Sequence, residues 1–161
     1  MNPAMNQIEE WRRNRVILVQ MSEIAQNEAS VSGNESRTEK ALGYVHTKTI
    51  ATTEEEVNLL ALIKGILFPI EHLSCNQQHD IEIVFNAKKY NAILVTLDGG
   101  SKSQPGGILG HKKELSEIGV TVMSDVEAVN EIRKLIRARD VIITNYCAKT
   151  GLPVPEWVGV D

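Results

Sequence analysis

The stretch from His79 to Gly99, HDIEIVFNAKKYNAILVTLDG, contains the features that decide the fold of this chain. Residues 92–96 form an apolar run typical of a strand in a parallel sheet covered on both faces. A helix is predicted over about 77–90, with Asp80 near its start, and Asp98 follows the strand. Because open α/β sheets bind ligands at the carboxyl ends of their strands, the two aspartates indicate a divalent metal site and phosphate chemistry.

Asp80 and Asp98 are expected to lie close together, since a helix start and a strand end can share one rim of a sheet. Two carboxylates at close range repel each other by roughly 4 kcal/mol at an effective dielectric constant of about 20, so such a pair usually shares a proton or binds a cation. Carboxylate oxygens suit Mg²⁺ or Mn²⁺. The alternative for Asp80 is a helix N-terminal acid that favours the helix dipole by ~0.3–1 kcal/mol.

The composition is that of an ordinary globular domain, with 161 residues, of which 42% are hydrophobic and 24% charged. The formal net charge is −4, which excludes the strongly basic footprint of a protein that binds duplex DNA by charge alone. A nucleic-acid substrate would have to be held locally, partly through metal ions.

The two cysteines, Cys75 and Cys147, lie far apart and form no CxxC pair, which argues against a zinc site and a disulfide framework. The sequence also has no apolar run of membrane-spanning length and no signal-peptide core. These features predict a cytoplasmic protein that does not associate with a membrane.

Helix and strand signals alternate along the chain, which indicates an α/β fold with a mostly parallel sheet. Capping boxes at Thr53-x-x-Glu56 and Ser124-x-x-Glu127 mark two helix starts. The Pro-broken tail contains Trp157, which is predicted to dock on its own domain or on a partner. The first predicted helix starts at Asn2, and the others cover residues 22–28, 37–45, 53–68, 77–90, 108–118, 124–137 and 140–149. The predicted strands cover residues 16–19, 47–51, 92–96 and 120–123.

The pattern D-x₆-A-x₂-Y-x-A-x-L-V-T-x-D, from Asp80 to Asp98, resembles the second half of a PIN domain. PIN domains are metal-dependent nucleases, many of them ribonuclease toxins of toxin–antitoxin pairs. The segment VILVQMSEIAQNEA at residues 16–29 resembles the family's second strand and the helix after it, with Glu28 six residues after Ser22.

Gly33-Asn34-x-x-Arg37 and the Thr53 helix follow in the order of the family, so the resemblance covers roughly residues 4–132. It implies a three-layer α/β/α fold around a mostly parallel central sheet. We assign residues 1–138 to the PIN-like domain and residues 139–161 to a C-terminal helix and extended tail.

The resemblance implies a metal-dependent endoribonuclease that acts on single-stranded RNA. Glu28, Asp80 and Asp98 would hold one or two Mg²⁺ or Mn²⁺ ions. The predicted protein partners are an antitoxin and a second copy of the chain in a homodimer. Without the resemblance, Glu28 would be interpreted as a solvent-exposed helix residue, and Glu23 is its weaker competitor.

Substrate contacts are expected beside Asp98. Thr96 is suited to bind a carboxylate or a substrate phosphate, or it is simply a β-branched strand residue. The Gly-rich segment 99–110 lacks the GxxxxGK[ST] pattern and is expected to be a mobile loop. Lys102 and Lys112 would attract RNA phosphates or else form a solvated helix start. His79 is either a proton carrier, a group that orients a metal ligand, or a structural residue.

The N-terminus departs from the family pattern. PIN domains open with a strand that ends in a metal-binding Asp, whereas this sequence begins after the expected place of that strand. Two interpretations stay open: the true start lies upstream of Met1, or this member has lost the strand and its ligand, which would make the fold one strand short and the metal site one ligand short. The alternative function is a catalytically impaired PIN-like module for binding or assembly.

Overall fold

A computed structural model describes residues 2–31, 35–100 and 106–160, and it has a mixed α/β fold in which short strands are separated by helices. The elements in chain order are α1 (Pro3–Arg13), β1 (Gln20–Ser22), α2 (Glu23–Val31), α3 (Glu35–Leu42), β2 (Val45–Thr47), α4 (Glu54–Leu67), α5 (Cys75–Lys89), β3 (Leu94–Val95), α6 (Gly107–Gly110), α7 (Lys112–Glu117), β4 (Val122–Met123) and α8 (Asp125–Thr150).

The chain divides into two compact units. One unit comprises Leu18–Ser124 and contains all four strands named above. The other comprises Met1–Ile17 and Asp125–Asp161, and it contains α1 and α8. Gly33 and Asn34, which carry part of the family resemblance, lie outside the described residues, as does the side chain of Arg37.

The strands pair in parallel, as the sequence predicts. Strand β1 pairs with β2 in the register Gln20↔Val45, and β3 pairs with β4 in the register Leu94↔Val122. Within the described residues these are two separate two-stranded sheets. Two helices lie between the strands of each pair, which is the kind of crossover that parallel pairing requires. The predicted α/β class with parallel strands is therefore confirmed.

The core of the Leu18–Ser124 unit lies where α4 and α5 pack together with α6, α7 and β4. Phe85 and Val84 of α5 are completely buried, as is Ile63 of α4. Helix α4 begins where the sequence predicts, since Thr53 Oγ1 accepts a hydrogen bond from the Glu56 N–H at 3.2 Å. The buried cluster consists of Ile63, Leu67, Phe68, Ile81, Val84, Phe85, Ile108, Leu115, Val120 and Val122.

The predicted strand at residues 16–19 is wrong, and the reason is the way in which α1 ends. Arg15 adopts the left-handed conformation with φ of 59°, and the Val16 N–H returns to the Trp11 carbonyl at 2.8 Å. This Schellman turn reverses the chain at Val16 and delays the strand to Gln20.

The strand predicted at 92–96 is shortened to Leu94–Val95 by a similar turn after α5. Asn91 has φ of 50°, and the Ala92 N–H donates to the Ala87 carbonyl at 2.8 Å. Ala92 therefore closes the helix and does not join the sheet. The strand predicted at 47–51 is also misplaced, since α3 ends at Leu42 and β2 already covers Val45–Thr47.

Helix α8 is one continuous helix, so the predicted break between residues 137 and 140 is wrong. Residues 125–150 contain no glycine or proline to interrupt it. It ends at Thr150, and Gly151, which follows it, has φ of 73°. None of the helices in the described part of the chain has both the length and the apolar character needed to cross a membrane.

The tail folds back on the C-terminal part of α8. The Arg139 guanidinium lies 4.5 Å from the centroid of the Trp157 ring, and the Gly159 N–H donates to Asp140 Oδ2 at 2.8 Å. This backbone hydrogen bond is the largest cause of the lowered pKa of Asp140. Trp157 is thus held by its own unit.

Candidate functional site

Helix α5 carries Asp80 in its second turn, because the helix begins earlier than predicted. Ser74 is the N-cap: its Oγ accepts a hydrogen bond from the Gln77 N–H, and Gln77 Oε1 accepts one from the Ser74 N–H at 2.9 Å. This capping box was present in the sequence and marks the true helix start. The predicted position of Asp80 at the helix start is therefore wrong, and the helix dipole, which acts within the first turn, does not explain this residue.

Asp80 is half-buried beside two other acids. Its pKa is raised from 3.8 to about 6, first by burial and then by the negative charges of Asp98 and Glu28. The charge of His79 acts in the opposite direction. The three acids predicted from the sequence therefore share one electrostatic environment, although they come from α5, α2 and the segment after β3.

Asp98 is held by the backbone of the loop that follows β3. Its Oδ1 accepts a hydrogen bond from the Gly100 N–H at 3.2 Å, and its Oδ2 accepts one from the Ile108 N–H at 2.9 Å. The Asp98 N–H in turn donates to Thr96 Oγ1 at 3.0 Å. Among the described residues each carboxylate oxygen of Asp98 accepts one hydrogen bond, whereas a carboxylate has about four acceptor positions.

Glu28 lies near the end of α2, and its carboxylate is bound by a residue of α5. Ser22 Oγ accepts a hydrogen bond from the Ala25 N–H at 3.2 Å and caps α2, as predicted. Glu28 Oε1 lies 2.8 Å from Nδ1 of His79, although 51 residues separate the two in the chain. Glu23 is exposed in the first turn of the same helix.

The expected substrate-binding residues have different positions. The hydroxyl oxygen of Thr96 accepts a hydrogen bond from the backbone N–H of Asp98. Lys112 is the exposed first residue of α7. Lys102 lies outside the described residues.

A buried polar cluster that sequence reasoning missed connects α5 to β2. Thr47 Oγ1 donates to Asn86 Oδ1 at 2.7 Å, and Asn86 Nδ2 donates to Thr49 Oγ1 at 3.2 Å. Both Thr47 and Asn86 are buried. The signal in the sequence was an Asn inside the otherwise apolar run from Val84 to Ala87. These bonds set the position of α5, and hence of Asp80, relative to the first sheet.

Glu28, Asp80 and Asp98 all supply carboxylate oxygens, which are the ligands that hard divalent cations prefer. A positive charge would also relieve the repulsion that raises the pKa of Asp80. In residues 2–31, 35–100 and 106–160, however, no three His, Cys, Asp or Glu side chains gather closely enough to hold a metal ion. A cation would therefore require the acid side chains to move closer together.

Comparisons of this chain with protein-family models, with curated proteins and with solved structures found no significant match.

Proposed function

We propose that this protein is a divalent-metal-dependent endoribonuclease that acts on single-stranded RNA, with a PIN-like fold. The observation that carries the proposal is the half-buried Asp80, whose pKa is raised to about 6 beside Asp98 and Glu28. Strongly shifted carboxyl groups are concentrated at catalytic and metal-binding sites. The pattern of residues from Asp80 to Asp98 and the position of Glu28 after Ser22 add the resemblance to the PIN family.

In this proposal Glu28, Asp80 and Asp98 hold Mg²⁺ or Mn²⁺. A cation held there would lower the pKa of a bound water molecule and provide positive charge for the leaving 3′-oxygen. The residues of the chain provide the geometry: the two loop N–H groups hold the Asp98 carboxylate in one orientation, and Thr96 orients its backbone. Lys112, with Lys102, attracts RNA phosphates to an otherwise acidic chain.

The finer features of the fold and the biology belong to the same proposal. The parallel strand pairs would belong to the central sheet of a three-layer PIN-like fold. A toxin-like nuclease would have an antitoxin protein or a second copy of itself as its partner. Cys75 and Cys147 are both free thiols, which suits a reducing cytoplasm.

The test is Mn²⁺-dependent cleavage of a panel of single-stranded RNAs by the wild-type chain, by Asp80→Asn and by Glu82→Gln. Glu82 is the matched control, since it lies on the same helix but binds Gln78 at 3.2 Å. We expect wild type and Glu82→Gln to cleave the RNA, and the cleavage rate of Asp80→Asn to fall by at least about 100-fold. An effect of this size is typical when a group that stabilises the transition state is removed. Equal cleavage by wild type and Asp80→Asn, or no cleavage by either, contradicts the proposal.

A second candidate is a PIN-like binding or assembly module with impaired catalysis. It is favoured by the finding that the described side chains do not gather three metal ligands around one point. Such a module would bind single-stranded RNA or a protein partner without Mn²⁺-dependent cleavage. Retained RNA binding by Asp80→Asn, together with no cleavage by any variant, would support it.

A further inference from the structure

Helix α8 has one apolar side that is buried and a second apolar side that is exposed. Val129, Ile136 and Cys147 share the buried side, because their directions around the helix axis agree within about 20°. The second side lies roughly 120° around the helix. The exposed apolar residues on that side are Leu135, Ala138, Ile142 and Tyr146. The folding of this unit therefore uses one apolar side of α8 and leaves the other open to a partner.

The exposed side has the spacing of a contact between two packed helices. Its residues follow one another at alternating intervals of four and three positions, the spacing at which one α-helix presents a continuous stripe to another. Single exposed apolar residues are ordinary on protein surfaces, whereas aligned sets mark interaction surfaces. We call this stripe the α8 seam, and it consists of Glu131, Leu135, Ala138, Ile142, Asn145 and Lys149.

The charges of the α8 seam favour a second copy of the same helix as its partner. Glu131 lies at one end of the seam and Lys149 at the other, equally far from the point midway between Ala138 and Ile142. In two antiparallel copies with a twofold axis at that point, Glu131 of each copy lies opposite Lys149 of the other. The same pairing places the small Ala138 opposite the large Ile142. A parallel pair would instead place each charge opposite its own kind, which is unfavourable.

The present contact of Glu131 is compatible with this pairing. Its Oε2 lies 3.1 Å from Nζ of Lys134, three residues further along the same helix, and the two side chains are 36% and 72% exposed. Exposed pairs of this kind are weak, because water screens them and both side chains lose conformational freedom. Glu131 can therefore exchange Lys134 for a lysine of another molecule at little cost.

We propose that the α8 seam is a dimer interface, at which α8 of one copy of the chain packs antiparallel against α8 of a second copy. One helix side per chain is small beside the roughly 1,200–2,000 Å² buried in a standard protein–protein interface, so the dimer dissociates on dilution. Dimerisation of this kind needs neither a bound cation nor RNA cleavage, and it stands apart from the nuclease proposal.

The test is sedimentation equilibrium of the full chain from about 1 µM to 1 mM, the range of weak association. We expect the mass to rise from the monomer value of 17.9 kDa towards twice that value. Ile142→Glu places a charge near the centre of the seam in both copies and should raise the Kd of the dimer at least about tenfold. Val141→Glu is the matched control and should change it by less than about threefold. Val141 and Ile142 are 60% and 66% exposed, but they point about 100° apart.

Charge reversal tests the antiparallel orientation. Glu131→Lys and Lys149→Glu each place like charges opposite one another, so each should raise the Kd about three- to tenfold at low salt. The double variant Glu131→Lys/Lys149→Glu restores opposite charges across the interface and should return the Kd to within about threefold of wild type. In a parallel dimer the double variant would recover nothing, because each end would still face its own charge.

Three results would overturn the proposal. The first is a mass of 17.9 kDa at every concentration, which would leave the seam to a different partner. The second is equal dissociation of the Ile142→Glu and Val141→Glu dimers, and the third is no recovery in the double charge variant. Thermal unfolding checks that each variant folds, and the charge variants test the seam independently of Ile142.

Discussion

The carboxylate of Asp98 lies directly against the α-carbon of Gly107, so that a β-carbon built on Gly107 would be 2.5 Å from Asp98 Oδ2. Gly107 has φ of 53°, a conformation that favours glycine. The next residue, Ile108, donates its N–H to the same carboxylate oxygen at 2.9 Å. Because Gly107 has no side chain, the loop backbone can approach the Asp98 carboxylate and bind it.

Replacing Gly107 by Ala is expected to displace Asp98 and weaken Mn²⁺ binding. The β-carbon would meet both Asp98 Oδ2 and the Gly100 nitrogen at 2.5 Å, and the positive φ adds strain. We expect the free energy of unfolding to fall by ~2 kcal/mol or more. Gly99→Ala is the control in the same loop, since its β-carbon meets nothing within 4 Å, and it should change stability by less than about 0.5 kcal/mol. Urea unfolding of both variants measures the difference, and equal stabilities would contradict the proposed packing.

Asp80→Asn should stabilise the metal-free protein at neutral pH while it removes metal binding. The pKa of Asp80 is higher in the folded chain, about 6, than its ordinary value of 3.8, so its ionisation opposes folding. This cost is absent below about pH 4 and grows as the pH rises to about 6. The shift corresponds to at most ~3 kcal/mol, and solvent screening of this half-buried group reduces it to on the order of 1 kcal/mol.

Thermal unfolding of wild type and Asp80→Asn at pH 4 and pH 7 measures this effect. The gain in stability of Asp80→Asn should be present at pH 7 and shrink towards pH 4. A variant that is less stable than wild type at pH 7 would show that the charge of Asp80 is compensated in the folded protein.

Mn²⁺ affinity of the wild type should depend on pH around the pKa of Asp80. A carboxyl group must lose its proton to bind a cation, so protons compete with Mn²⁺ below about pH 6. We expect constant affinity from pH 7 to 8 and a loss of about tenfold per pH unit below 6. Isothermal titration calorimetry at several pH values gives this profile. A midpoint near pH 4 would mean that Asp80 has an ordinary pKa.

Asn86→Ala should destabilise the chain strongly, because it leaves the buried hydroxyl of Thr47 without its 2.7 Å partner. The Thr47 hydroxyl would keep only the more distant Met21 carbonyl, at 3.4 Å, as an acceptor. We therefore expect a loss that approaches the cost of an unsatisfied buried polar group, about 1–3 kcal/mol, to which the lost volume adds. The double variant Thr47→Val/Asn86→Leu removes both partners and should lose less than the single one. Asn76→Ala, at an exposed position of the same helix, is the control. A loss by the double variant in urea unfolding that equals or exceeds the loss by Asn86→Ala would contradict the coupling between Thr47 and Asn86.

Much of the local structure could be predicted from short stretches of sequence. Thr53 caps α4, Ser22 caps α2 and Asn2 caps α1, since in each case the bonded groups are two or three residues apart. The α/β class followed from the alternation of helical and apolar segments. The missed start of α5 at Ser74 was a signal of the same local kind.

The strand boundaries were predicted less well. Arg15 and Asn91 both adopt left-handed conformations in turns after helices, and each turn removes the first residues of an apolar run from the sheet. Hydrophobicity alone does not distinguish a residue that closes a helix from one that enters a strand, because both are buried or half-buried.

The sequence by itself pointed to three acids: Asp80 and Asp98 through the helix and strand pattern around them, and Glu28 only through the resemblance to the PIN family. The tertiary structure alone decided which groups hold those acids. His79 reaches Glu28 across 51 residues, and Gly107 makes room for Asp98. Contacts of this kind depend on the packing of α2, α5 and the loop after β3, and no short-range pattern encodes that packing.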